Sequence, residues 1–300
     1  MVKVLVTGAS GFIGGHLTAL DAGYDWTCIS RRPAPGCQPI GDMADFEGWQ
    51  DLFHGVDVVV HLAARVHQMD SADKDLYHRD NVEVVEAMAR AAELSGVRRF
   101  IFLSSIKVNG EETQVTPFRF DDPPAPTDPY GVSKRDAEEF LLEFSNKSSL
   151  EVVVIRPPLV YGKGVKANFN KLLGLAKSKL LLPLSLLHNN RDMVSVDNLC
   201  DLILCCIESP AAVNNTFLVS DGCSYSTADI IVVARKVQGR KPGLFPVPPL
   251  LLMLLLRMLG KGEMAKRLLG SLEVDISHTR RVLSWQPKHT LEDTLRKMAL

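Results

Sequence analysis

The 300-residue chain is 46% hydrophobic and 23% charged, which fills a sizeable core and excludes a disordered or collagen-like polymer. Thirty-four Lys and Arg against 35 Asp and Glu give a formal charge of -1, so no global basic excess draws it to nucleic acid. At about 150 residues per domain, the length fits two domains or one large α/β unit with an appendage.

Residues 2–6 read as a short buried strand that runs into a glycine-rich turn and a helix over 14–20. Further strands are expected at 26–30, 56–61, 99–103 and 151–155, with helices at 81–94 and 133–144 between them. Apolar strands alternating with helices predict an α/β fold, a doubly wound parallel sheet of Rossmann-like type covered on both faces. Residues 1–161 form the expected dinucleotide-binding domain. Residues 162–300 form a smaller, mixed substrate domain, from which a helix at 196–207 and a strand at 216–220 return to the first. No signal-peptide pattern follows Met1, and Cys28, Cys37, Cys200, Cys205, Cys206 and Cys223 have neither disulfide-framework nor metal-ligand spacing. A cytoplasmic, metal-free protein with reduced thiols is expected. The apolar run at 247–259 is too short to span a bilayer, which needs about 20 residues. It reads as a packed helix, a subunit contact or, with Lys261, Lys266 and Arg267 following, a membrane-surface element over 247–267.

Thr7-Gly8-Ala9-Ser10-Gly11-Phe12-Ile13-Gly14 places G-x-x-G-x-x-G between a strand and a helix. Glycines there let the backbone turn sharply and approach a pyrophosphate, whose charge suits the amides opening a helix. In that context a dinucleotide loop is favoured over a purely structural turn. At the end of the second strand an acidic residue would bond a ribose 2′-hydroxyl, whereas arginine suits a 2′-phosphate. This chain has Ser30-Arg31-Arg32, which favours NADP(H) slightly over NAD(H). Asp42 is either an adenine-side residue or part of a turn.

Tyr130-Gly131-Val132-Ser133-Lys134 sets a phenol and an ammonium four residues apart, on one face of a helix that Asp128 would cap and Pro129 would open. A phenol titrates near 10, and a neighbouring cation favours its ionised form, so the pair suits proton exchange with an alcohol or ketone. Ser105 ends a buried strand and either bonds the reacting oxygen or caps the next turn. The absence of G-x-S-x-G argues against a hydrolase, and the scattered histidines, with His67 facing the cleft, argue against a catalytic metal.

The segments TGASGFIG (7–14), HLAA (61–64), SS (104–105), YGVSK (130–134), RPPLVYG (156–162) and RDMVSVDN (191–198) together resemble the extended short-chain dehydrogenases that modify nucleotide sugars. The resemblance implies a catalytic set of Ser105, Tyr130 and Lys134. It implies a pyrophosphate loop of Gly8, Gly11 and Gly14 and an adenine contact at Asp42. The expected cofactor site adds Ser10, Phe12, Ile13, Leu62, Ala63, Ala64, Tyr130, Lys134 and Pro157, together with Ser30, Arg31 and Arg32, which depart from the acidic residue many epimerases carry there. Lys134 would also hold the nicotinamide ribose, and Asn81 matches the helix asparagine of such domains. His67, Lys107, Asn168 and Arg191 are the expected substrate contacts, of which Arg191 matches an arginine that clamps a diphosphate in that group. Within that group the chain is similar to UDP-glucose 4-epimerase-like enzymes and to reductases of UDP-4-keto-6-deoxy-N-acetylhexosamines. Reduction is the first expectation, 4-epimerisation the alternative and a non-enzymatic dinucleotide sensor a distant third. A homodimer is implied by resemblance alone. Ile106 and Lys107 stand where dehydratases carry Asp-Glu, and Gly23 follows Gly14 so soon that a loose pyrophosphate side is expected.

Overall fold

The structure, a computed structural model, describes residues 1–66, 74–165 and 167–298. Its first half alternates β1 (Lys3–Thr7), α1 (Phe12–Thr18), β2 (Asp25–Ser30), β3 (Gln38–Pro39), α2 (Trp49–Phe53) and β4 (Val58–His61). One helical stretch follows, made of α3 (Lys74–His78), a wide π-helical turn over Arg79–Glu83 and α4 (Val84–Leu94). Then come β5 (Arg99–Leu103), α5 (Pro129–Ser145), β6 (Glu151–Arg156), β7 (Leu159–Tyr161), α6 (Ala167–Lys177), β8 (Met193–Ser195), α7 (Val196–Glu208) and β9 (Asn215–Leu218). The C-terminal helices are α8 (Thr227–Val237), α9 (Pro249–Met258), α10 (Gly262–Leu269), α11 (Ser277–Leu283) and α12 (Leu291–Lys297).

Seven parallel strands pair in the order β3-β2-β1-β4-β5-β6-β9, and β7 pairs with β8 apart from them. Alternation along each strand fills two cores. Val4, Val6, Val58, Val60 and Val153 pack with α1 and α7, whereas Leu5, Val59, Phe100, Phe102 and Val154 pack with α2, α4 and α5. Being buried on both faces explains why these strands read as unbroken apolar runs. The order reverses at β1, so the C-terminal ends of β1 and β4 open a crevice there.

A separate cluster built on Leu173, Ile230, Ile231, Leu291 and Leu295 forms the second lobe. Asp221, in the loop after β9, joins the lobes. Its carboxylate accepts from Tyr161 Oη at 2.5 Å, Asn198 Nδ2 at 2.7 Å and the Ser195 amide at 2.9 Å. Arg99, the first residue of β5, anchors the N-terminal end of the strands, opposite the crevice. It is 1% exposed, ion-pairs with Glu151 and donates to the Cys206, Ile207 and Ser209 carbonyls, where a cation suits the C-terminal end of α7. All six cysteines are free.

Candidate active site

The glycine loop is tight, which corrects the expectation of a loose pyrophosphate side. Gly8 has φ of +66°, and a Cβ on it would lie 2.9 Å from the Ala63 nitrogen. A Cβ on Gly14 would lie 2.4 Å from the Gly8 carbonyl oxygen, so only glycine lets α1 seat against the strand end. The short α1 therefore leaves no slack. Gly11 caps α1 without a side chain, leaving the first-turn amides to an incoming anion.

The crevice above is a cleft of about 620 Å³. Its wall brings together Gly8, Ser10, Gly11, Phe12, Ile13 and Gly14 from the loop, Ser30 and Arg31 from the end of β2, Asp42, and Leu62, Ala63 and Ala64 after β4. Each of these was expected from the sequence. Arg32 does not line the cleft; its carbonyl accepts from Ser30 Oγ at 2.7 Å, closing the turn after β2. Asp42 does two things at once. It caps a short turn through the Ala44 amide and pairs with Arg79 at 2.9 Å, and these bonds, the amide first, hold its carboxyl below the ordinary range. Ile29, Ile40, Met43, Arg65, Val66, Asp80 and Val84 also line the wall and were not foreseen; Asp80 and Val84 reach it from the helical stretch that starts at α3, Met43 from the turn that Asp42 caps, and Arg65 and Val66 from the segment after β4.

That stretch is fixed by Asn81, which is 1% exposed at the π-helical turn. Its amide accepts from the Arg65 nitrogen at 2.8 Å and donates to the Arg65 carbonyl and to Ser133 Oγ, both at 3.0 Å. One side chain thereby locks the cleft wall to α5. At the end of β4, Thr7 Oγ1 accepts from the Leu62 and Ala63 amides and lies 2.9 Å from His61 Nδ1. With both acceptor positions used, the hydroxyl proton goes to Nδ1, which leaves the imidazole proton on Nε2. Burial first, and the Lys134 charge second, push His61 down to about 3, so it is neutral and structural.

Asp128 caps α5 through the Gly131 amide at 2.7 Å and Pro129 opens the helix, so Tyr130 and Lys134 share its inward face. Ser105 stands close enough to Tyr130 for its hydroxyl to favour the phenolate. Burial pushes the Tyr130 phenol up to about 12, against the lowering effect of Ser105. Lys134 is 2% exposed. Its ammonium donates to the Leu103 carbonyl at 2.9 Å and lies 4.4 Å from the centre of the Phe102 ring. Desolvation lowers it to about 7, although Glu138 one turn further along works the other way. Of the two roles read from the sequence, Ser105 performs the second: it caps the turn over Ile106–Val108 through the Lys107 amide. The Pro157 carbonyl accepts from the Ile106 amide at 3.0 Å and holds this turn against β6.

The expected substrate contacts are less concentrated. The Lys107 ammonium is bonded to Asp128 and, at 3.0 Å, to Glu111; burial opposes its charge, but these bonds outweigh it and raise its pKa. Half-buried Arg191 donates to the Gly270 carbonyl at 3.0 Å, and burial lowers its pKa. His67 lies outside the described residues, and Asn168 lies on α6 with its side chain outside them. Sequence reasoning missed the clamp under α5. Arg156 makes three contacts of 2.6–3.0 Å to Glu138 and one to Asn109 Oδ1 at 3.0 Å, with both charged groups buried. No group of three or more potential metal ligands occurs among the described residues.

Residues 4–220 match the model of the NAD dependent epimerase/dehydratase family. The chain belongs to that family. It is 41% identical to a UDP-glucose 4-epimerase of Vibrio cholerae over 99% of this chain and 94% of that protein. It is 33% identical to the N-acetyl-alpha-D-glucosaminyl-diphospho-ditrans,octacis-undecaprenol 4-epimerase of Escherichia coli O157:H7, over 70% of this chain and 64% of that protein. The fold matches that of UDP-glucuronic acid 4-epimerase from Bacillus cereus in complex with NAD, with a TM-score of 0.79 and 23% identity over 99% and 94% of the two chains. The chain is thus an enzyme that uses a nicotinamide dinucleotide. The amide-lined glycine cradle, too tight for any Cβ, fits such a group, and Gly8, Gly11, Arg31, Asp42 and Ala63 would hold it.

Proposed function

We propose that this protein catalyses reversible oxidation at C4 of a UDP-linked hexose or N-acetylhexosamine, with 4-epimerisation as the net result. The arrangement that carries the proposal is the buried Lys134 one turn from Tyr130, with Ser105, just past the end of β5, near the phenol. The full-length similarity to a UDP-glucose 4-epimerase supports the substrate class.

The nicotinamide, when bound, supplies a hydride acceptor and a positive charge. Tyr130 takes the proton from the sugar hydroxyl on oxidation and returns one to the ketone on reduction. Ser105 holds the oxygen in line with the phenol. Lys134, fixed by Leu103 and Phe102, adds a charge that favours the phenolate. With the phenol at about 12 in the cofactor-free protein, Tyr130 rests as the acid. Arg191, on the second-lobe side, is the proposed diphosphate contact, and His67, Lys107 and Asn168 remain proposed sugar-side residues.

One observation favours a second reading, net reduction of a UDP-4-keto-6-deoxy-N-acetylhexosamine. Arg31 lines the ribose end of the cleft, which suits the 2′-phosphate of NADP(H) and a cofactor that exchanges at each turnover. Turnover of a panel of UDP-hexoses and 4-keto-6-deoxy UDP-sugars with both cofactors, with product stereochemistry read by NMR, separates the two. Epimerisation by protein that retains stoichiometric NAD supports the first. Consumption of NADPH with a 4-keto sugar and no epimerisation replaces it with the second.

A further inference from the structure

α9 turns only Leu252 fully inward; Met253 and Leu256 are partly covered. Leu250, Leu251, Leu254, Leu255, Met258 and Leu259 face outward, from 47% to 76% exposed. These are the positions i, i+1, i+4, i+5, i+8 and i+9, which make one continuous stripe along about 15 Å of helix. Leu182 and Leu244 form a backbone bridge just before it, and the neighbouring Leu180, Leu181 and Phe245 are also exposed. A monomer that leaves so much contiguous apolar surface in water marks a contact site.

The charge around the patch says what covers it. Residues 171–190 and 236–267 carry ten of the chain's 34 Lys and Arg, but only one of its 35 Asp and Glu, Glu263. Lys236 is paired with Glu292, while Arg257 and Lys261, at the end of α9, are exposed. An overall charge of -1 therefore hides a stretch of sequence around α9 that is strongly basic, with Arg257 and Lys261 bordering the apolar helix itself. A second copy docked about a twofold axis would bring two such basic borders together and repel. An anionic bilayer surface satisfies both features, apolar side chains entering the acyl boundary and cations meeting headgroups. No helix among the described residues is long and apolar enough to cross a membrane.

We infer that α9 and its basic border are a peripheral docking surface for anionic lipid membranes, laying the helix in the plane of the interface. The inference does not depend on which sugar is turned over. It is tested by flotation of the full chain with phosphatidylethanolamine–phosphatidylglycerol vesicles and with phosphatidylcholine vesicles. The expected result is binding to the anionic vesicles that weakens in about 0.5 M salt. Leu250→Glu/Leu254→Glu and, separately, Arg257→Glu/Lys261→Glu each lower binding at least roughly tenfold, with dinucleotide binding and turnover of soluble substrate unchanged. Sedimentation velocity on the same proteins reads the competing occupant. Failure of the wild type to float, or equal flotation of the leucine variant, overturns the inference. So does conversion of a wild-type dimer to monomer by the leucine substitutions, which would assign the face to a second copy.

Discussion

Lys134→Met removes the cation on which the chemistry relies and stabilises the fold. The side chain is 2% exposed, and its polar contacts are the Leu103 carbonyl and the face of Phe102. A pKa lowered by burial from 10.5 to about 7 means the folded protein holds this proton less well than the unfolded chain does. At 1.36 kcal/mol per unit, the charge costs the folded state about 5 kcal/mol below pH 7. As pH rises from 7 towards 10.5 the folded protein has shed the proton while the unfolded chain has not, so the penalty shrinks and wild-type stability rises. Methionine fills a similar volume but forfeits the hydrogen bond and cation–π contact, together about 2 kcal/mol. The cofactor-free variant should then be more stable than wild type by about 2–3 kcal/mol at pH 6, with the advantage gone near pH 9.5. Urea unfolding at both pH values measures this, and turnover should be lost at each. A variant less stable than wild type at pH 6, or a difference that does not move with pH, would refute the placement of a strained, desolvated ammonium here.

Tyr130→Phe keeps the ring but removes the proton, so turnover should fall at least about 100-fold with dinucleotide affinity little changed; unaltered turnover means another group is the acid. Arg31→Asp should move preference from NADP(H) towards NAD(H) by roughly 10–100-fold, the worth of a charged hydrogen bond, in a dissociation-constant comparison. Equal loss for both dinucleotides would show that the arginine does not meet the ribose. Arg156→Leu strands Glu138 in the core under α5 and should cost about 3–5 kcal/mol in urea unfolding. The double variant Arg156→Leu/Glu138→Leu should recover most of that, and a double variant no better than the single one would mean packing, not charge, explains the loss.

The parts of this site that sequence reasoning reached are those whose chemistry is local. Gly8, Gly11 and Gly14 sit between a strand and the helix it feeds, and Tyr130 and Lys134 are one turn apart behind their own cap, so spacing along the chain already specifies spacing in the fold. What was missed is the partners such residues take from distant segments. Asn81 bridges the chain at 65 to Ser133, Asp42 is held by Arg79, and Arg156 reaches across to Glu138 and Asn109. None of these residues has a local pattern that names its partner. The charge pair at 31 and 32 shows the same limit from the other side, because two adjacent arginines read as equivalent until the turn closed by Ser30 sends one into the cleft wall and not the other. On the proposed reading, cofactor choice turns on Arg31, the one of the two that lines the wall, with Asp42 close to it, and so on how that turn closes rather than on the count of basic residues in the sequence.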